Sequence, residues 1–156
     1  MDHWKNLWGR FSDYGRNFAS HELLGGVCAT TQGAFQTKAS PGAQAFVAEV
    51  DSTTFQGRII RSTFLSSDGS TIPYAVVNND ATAVFVAGPT ASGHLPGGPV
   101  LTPNPKAGFV TKFSQDLSQV RYTQLLGLVV SGIALRKIVP DAPEIYTTGW
   151  RYTGGH

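Results

Sequence analysis

Charge is scarce in this chain: only 14% of its residues are Asp, Glu, Lys or Arg, and the formal net charge is +2. A nucleic-acid surface calls for a concentrated basic stripe, and the sequence has none, so no nucleic-acid partner is expected. Cysteine is nearly absent. Cys28 stands alone, which excludes an intramolecular disulfide or a cysteine-based zinc site built from this chain by itself. In Gly25-Gly26-Val27-Cys28-Ala29-Thr30 it has no His or basic neighbour to activate it, so it reads as buried filler. Long apolar runs are missing too. The longest, Leu125 to Val130, is interrupted by Gly127, whereas a membrane-crossing helix needs about 20 apolar residues in succession. The first twenty residues carry Asp2, Lys5, Arg10, Asp13 and Arg16 among aromatics, a pattern foreign to a secretory signal. The compartment stays open.

What the chain has instead is glycine, proline and short β-type runs. With 156 residues it is long enough for one domain with a core. Its 18 Gly and 9 Pro, with many Thr, Val, Ser, Phe and Ala, suit strands and turns better than helices. Phe46, Ala48 and Val50 alternate with Val47, Glu49 and Asp51, and strands are likewise predicted over 60–65, 74–78, 84–87, 108–113, 120–125 and 145–148. Between them lie turn sequences such as Ser67-Asp68-Gly69, Asn78-Asn79-Asp80, Pro103-Asn104-Pro105 and Pro140-Asp141-Ala142-Pro143.

These strands recur. Ala45-Phe46-Val47-Ala48-Glu49-Val50 returns as Gly108-Phe109-Val110-Thr111-Lys112-Phe113, an offset of 63 residues. Arg61-Ser62-Thr63-Phe64-Leu65 returns as Arg121-Tyr122-Thr123-Gln124-Leu125 at an offset of 60, and Val84-Phe85-Val86-Ala87-Gly88 as Ile145-Tyr146-Thr147-Thr148-Gly149 at 61. A period near sixty implies one supersecondary unit used about two and a half times, and such units bury their apolar faces on one another.

Within the units stand Gly33-Ala34-Phe35-Gln36-Thr37, Gln44-Ala45-Phe46-Val47-Ala48-Glu49 and Ser62-Thr63-Phe64-Leu65, then Phe85-Val86-Ala87-Gly88, Leu95-Pro96 and Ala107-Gly108-Phe109-Val110-Thr111-Lys112, and last Tyr146-Thr147-Thr148-Gly149. In kind and order these motifs resemble the bacterial β-propeller repeat family known as SBBP repeats, over roughly residues 25–150. The Asp that usually precedes Ala-Phe-Val in that family is Gln44 in one copy and Ala107 in the other. The resemblance implies an all-β fold, an incomplete β-propeller-like repeat array of antiparallel blades, and an exported or surface-associated protein. A single β-sandwich or barrel is the alternative architecture.

Residues 1–20 read differently from the β-repeat domain expected over 21–156. Trp4, Leu7, Trp8, Phe11, Tyr14 and Phe18 fall three or four apart, as on one face of a short amphipathic helix, with Lys5, Asn6, Arg10 and Asp13 away from that stripe. Such a helix can cover the β domain, dock on a partner protein through its Trp residues, or lie peripherally on a membrane surface.

Catalytic groups do not converge in the sequence. His3, His21, His94 and His156 are scattered without metal-ligand spacing. Ser92-Gly93-His94 brings a hydroxyl close to an imidazole, yet no strained Gly-x-Ser-x-Gly turn accompanies it. Gly97-Gly98 precedes Pro99, and Gly154-Gly155 lacks a following helix to hold an anion. Glu49 and Asp51 share a strand face but want a third carboxylate for calcium. Trp150, Arg151 and Tyr152, placed after a strand, are either the edge of the last unit or a small ligand-binding surface for sugar. The expectation is therefore no enzyme, no metal and no cofactor. Because a closed propeller takes about four to eight blades, two and a half units call for a neighbour. A scaffolding or accessory subunit held to a protein partner, or to itself, is the function expected. A carbohydrate-binding module and a peripheral membrane subunit are the alternatives.

Overall fold

A computed structural model describes residues 16–23, 30–40, 44–51, 53, 58–65, 67–79, 82–100, 107–136 and 143–151. Among these the chain is all-β, with nine strands: β1 (Arg16–Leu23), β2 (Gln44–Asp51), β3 (Arg58–Leu65), β4 (Ala75–Asn79), β5 (Ala83–Thr90), β6 (Ala107–Ser114), β7 (Val120–Leu126), β8 (Val129–Arg136) and β9 (Glu144–Trp150). They form three antiparallel sheets of order β1-β2-β3, β4-β5-β6-β7 and β8-β9, none of which closes on itself as a barrel.

The period of two along each strand decides how the sheets pack. On β5, Val84 and Val86 join Phe109, Phe113 and Leu95, and this face meets Ala45, Val47 and Leu65 of the first sheet. Ala83, Phe85 and Ala87 point the other way, with Val110, and meet Val130, Ile133, Leu135 and Ile145 of the third, together with Leu128 of the β7–β8 turn. The middle sheet is thus apolar on both faces, which is why β5 and β6 are nearly continuous runs of buried residues. The opposite face of the first sheet carries Phe46, Ala48 and Phe64, with the Phe46 and Phe64 rings edge-on at 5.5 Å between centroids.

The hairpins β2–β3 and β6–β7 share their irregularity. Pairing slips once in each, between Glu49 and Val50 in the first and between Lys112 and Phe113 in the second. Two residues of the outer strand then face one of the inner, a β-bulge. The registers Ala48↔Ser62 and Thr111↔Thr123 show that the place of Arg61 is taken by Tyr122, one residue beyond the Arg121 that sequence similarity suggests. The segment before each hairpin also laces onto its outer strand. Ser62 donates its amide to Thr31 Oγ1 (2.9 Å) and Phe64 to the Gln36 carbonyl (3.1 Å), while Thr123 donates its amide to the Gly97 carbonyl (2.8 Å) and its hydroxyl to that of Pro96 (2.6 Å).

The structure departs from expectation at two elements. Residues 16–23 pair with β2 over Arg16↔Asp51 to Leu23↔Gln44, so Phe18 belongs to a strand and the helical stripe does not extend through it. Trp4, Leu7, Trp8, Phe11 and Tyr14 lie outside the described residues. Strand β8 was not anticipated: its Val-Val-Ser-Gly-Ile-Ala-Leu-Arg sequence loses alternation where pairing skips Ser131, between Val130 and Gly132.

Candidate functional site

Two places gather groups that can act on something outside the chain. One lies where the β3–β4 and β5–β6 loops meet. Asp68 Oδ1 accepts the Ser92 hydroxyl (2.7 Å) and the Gly93 amide (3.1 Å), and Asp68 Oδ2 lies 2.6 Å from His94 Nδ1. The His94 amide donates to Ser92 Oγ (3.2 Å), and the Ser67 hydroxyl donates to the His94 carbonyl. The bonds from His94 and then Ser92 hold the Asp68 carboxyl well below the usual carboxylate range.

Serine, histidine and aspartate therefore do come together here, which spacing alone did not foretell. Their order is not that of a nucleophilic triad, in which the imidazole bonds to the hydroxyl and the carboxylate steadies the imidazole from behind. Here Asp68 is the hub, and the buried Ser92 gives its proton to the carboxylate while its oxygen accepts an amide. This arrangement ties two loops together. The neighbouring hollow of about 200 Å³, lined by Ser70, Ile72, Pro89, Thr90, Ala107 and Val129 among others, contains no titratable group.

Other carboxylates are occupied in the same manner. Glu49 is buried and meets Arg61 at 3.2 Å, while Asp51 accepts the Thr53 amide (2.9 Å) and hydroxyl (2.6 Å). The pair that shares a strand face is thus drawn apart into separate bonds, and no group of three metal-ligating residues occurs among the described residues. In the β6–β7 turn, Asp116 accepts the hydroxyls of Ser114 (2.6 Å) and Ser118 (2.8 Å) and the Ser118 amide (3.1 Å), which lower its pKa to about 2. A depressed folded-state pKa contributes stability that is present above the ordinary carboxylate value, near 4, and is lost as pH falls through the folded value. Asp116→Asn should accordingly be less stable than the parent above about pH 4, with the gap closing toward about pH 2. Urea melts across that range check it; a gap independent of pH would refute the assignment.

The second place is the outer side of the β8–β9 sheet. Ile145 points inward to the middle sheet, so period two turns Tyr146, Thr148 and Trp150 outward. Tyr146 and Trp150 are each 52% exposed, although both are large and aromatic. Tyr146 donates its hydroxyl to Glu144 (2.7 Å), and Arg136 lies 3.6 Å from the same carboxylate. Arg151 is also exposed, and Tyr152 lies outside the described residues. Among the described residues β9 has one hydrogen-bonded neighbour, β8, whereas β5 has β4 on one side and β6 on the other. An unpaired edge beside an exposed aromatic face is a surface prepared for contact.

The same surface explains one glycine. An ideal Cβ on Gly149 would lie 1.9 Å from the Val129 carbonyl oxygen, and one on Gly88 would lie 2.0 Å from that of Ile72. Each glycine sits where preceding backbone, the segment leading into β4 for Gly88 and β8 for Gly149, crosses too closely for any side chain. At the offset of 61 read from sequence Gly149 aligns with Gly88, Tyr146 with Phe85 and Ile145 with Val84. Phe85 is fully buried under the third sheet, and its counterpart Tyr146 is half bare. No helix among the described residues is long and apolar enough to cross a membrane. Compared with protein-family models, curated proteins and solved structures, the chain matches none.

Proposed function

We propose that this chain is a non-catalytic β-repeat subunit that works by holding protein surfaces together, its three sheets being successive blades of an incomplete propeller-like array. The contrast between Phe85 and Tyr146 carries this reading. The two residues align at the sequence offset of 61, and among the described residues only Phe85 has a sheet packed over it. The shared bulges at Glu49/Val50 and Lys112/Phe113 support a common unit, as does the resemblance to SBBP repeats. Large aromatics at an uncovered face are the residues that anchor protein contacts. Asp68 with Ser92, Asp116 with Ser114, and Glu49 with Arg61 are engaged in loop ties, a turn and an ion pair.

Light scattering on the eluting peak of a sizing column tests the proposal. A particle of more than one chain is expected, and a lasting monomer of 16.6 kDa at every concentration would remove it. A carbohydrate-binding reading draws on the same exposed Tyr146 and Trp150, which lie four residues apart on one face. Sugar retained on a glycan array by the parent and lost by Trp150→Ala would favour that reading over assembly.

A further inference from the structure

The three sheets hold different parts of one four-stranded order. The middle sheet is complete, running β4-β5-β6-β7. In the third sheet β8 and β9 stand where β4 and β5 stand, and no strand occupies the places of β6 and β7 among the described residues. In the first sheet β2 and β3 stand where β6 and β7 stand, with the same bulge, and β1 lies in the place of β5. The register shows that equivalence of place: Leu23 faces Gln44 as Thr90 faces Ala107, and Arg16 faces Asp51 as Ala83 faces Ser114. β1 and β9 are thus two candidates for one position against β2.

They differ in fitness for it. β9 reads Glu-Ile-Tyr-Thr-Thr-Gly-Trp, rich in β-branched and aromatic residues, and carries the glycine that lets β8 cross beside it, as Gly88 admits the segment leading into β4. β1 reads Arg-Asn-Phe-Ala-Ser-His-Glu-Leu, with His21 in the register place of that glycine and no strand on its far side among the described residues. A strand with the character of β9 is suited to the interior of a sheet, and one with the character of β1 to an edge.

Resting on the assembly reading above, we propose that the partner is a second copy of this chain, joined by strand exchange. β9 of one copy displaces β1 and pairs antiparallel with β2 of the next, giving a four-stranded sheet of order β8-β9-β2-β3 built from two chains. The pairing follows that of β5 with β6, so Thr147 faces Ala48 of the second copy as Val86 faces Thr111, and Ile145 faces its Val50 as Val84 faces Phe113. Both open features close at once. The edge of β9 that is open among the described residues gains its ladder, and Tyr146 comes to lie on the same face as Ala45 and Val47 of the second copy, the face that meets that copy's middle sheet. Tyr146 is then covered as Phe85 already is. The contact is head-to-tail, so it closes into a ring or grows as a filament.

Engineered disulfides separate the two competing pairings, since residues directly opposite on antiparallel strands lie within bridging distance. With Cys28→Ser as background, proteins bearing Ala48→Cys and Thr147→Cys singly are mixed and oxidised. The expected product is a covalent dimer containing one of each. Ala19→Cys with Ala48→Cys instead fastens β1 in place, because these residues face each other within one chain. Oxidation of that variant should return the mass to one chain, and reduction should at least double it. In the unaltered protein, amide exchange over Glu144–Trp150 should slow as concentration rises. A multi-chain particle without the 48–147 bridge, or with exchange in β9 indifferent to concentration, overturns strand exchange while leaving assembly in place. A monomer throughout overturns both.

Discussion

Phe109→Ala is expected to destabilise the protein by about 3–5 kcal/mol, the range for deleting a buried phenyl ring and leaving its cavity. Phe109 is fully buried at the heart of β6, where it packs with Val84, Val86 and Phe113 against Ala45, Val47 and Leu65 of the neighbouring sheet. Its surroundings are poorly placed to collapse into the space. On one side its register partner is Gly88, which brings no side chain, and on the other it is Leu125. The loss is a large fraction of the total, since domains of this kind are stable by only about 5–15 kcal/mol. Because Phe109 stands on the face joining two sheets, its removal should weaken the coupling between them and not just one hairpin. Val100→Ala, at a residue 72% exposed, is the contrast and should change stability by about 0.5 kcal/mol or less. Urea denaturation followed by tryptophan fluorescence measures both. A cost below about 1.5 kcal/mol for Phe109→Ala would mean that the two sheets are not held together at this face.

The strands with clean alternation were legible in the sequence because period two is a local property. Seven of them, β2 to β7 and β9, fall on segments where apolar and polar residues alternate or where β-branched residues run together between Gly, Pro and Asp turns. Bulges defeat this reading. A skipped residue at Ser131 hid β8, and the bulges in β3 and β7 let the similarity of Arg61 and Arg121 suggest a match one residue out of step. The spacing of three and four that ends at Phe18 gave a helical appearance to the start of β1, whose conformation is decided by pairing with β2. The grouping of Asp68 with Ser92 and His94 was invisible for another reason. It joins residues 24 and 26 apart on two loops that a β-hairpin and its flanks bring together. By contrast, a surface role for Trp150 was readable as an alternative from its place after a strand, whereas the exposure of Tyr146 depends on what packs over its sheet, which the local sequence does not state.

Gly88→Ala should cost about 3 kcal/mol or more, even though replacing glycine by alanine inside a strand ordinarily gains about 0.5–1 kcal/mol. The added Cβ would lie 2.0 Å from the Ile72 carbonyl oxygen and 3.0 Å from the Ile72 carbonyl carbon and the Tyr74 nitrogen. All three are backbone atoms, so no side chain can swing aside. The crossing segment is pinned on both sides of the glycine, by the Ile72 amide bonded to the Pro89 carbonyl (3.1 Å) and the Tyr74 amide bonded to that of Ala87 (2.9 Å). Relief requires breaking these bonds or shifting β5, which is paired along both edges between two apolar layers. Gly149→Ala meets an equally close oxygen, that of Val129 at 1.9 Å, but β9 is paired on one edge only among the described residues and can move outward. Its cost should be smaller, about 1–2 kcal/mol in dilute solution. If β9 becomes an interior strand through contact with a second chain, that freedom is lost. The penalty for Gly149→Ala should then grow with protein concentration while that for Gly88→Ala stays constant. Parallel denaturation series of the two variants at low and high concentration read this difference directly, and equal, concentration-independent penalties would show that β9 is held as firmly as β5 within the single chain.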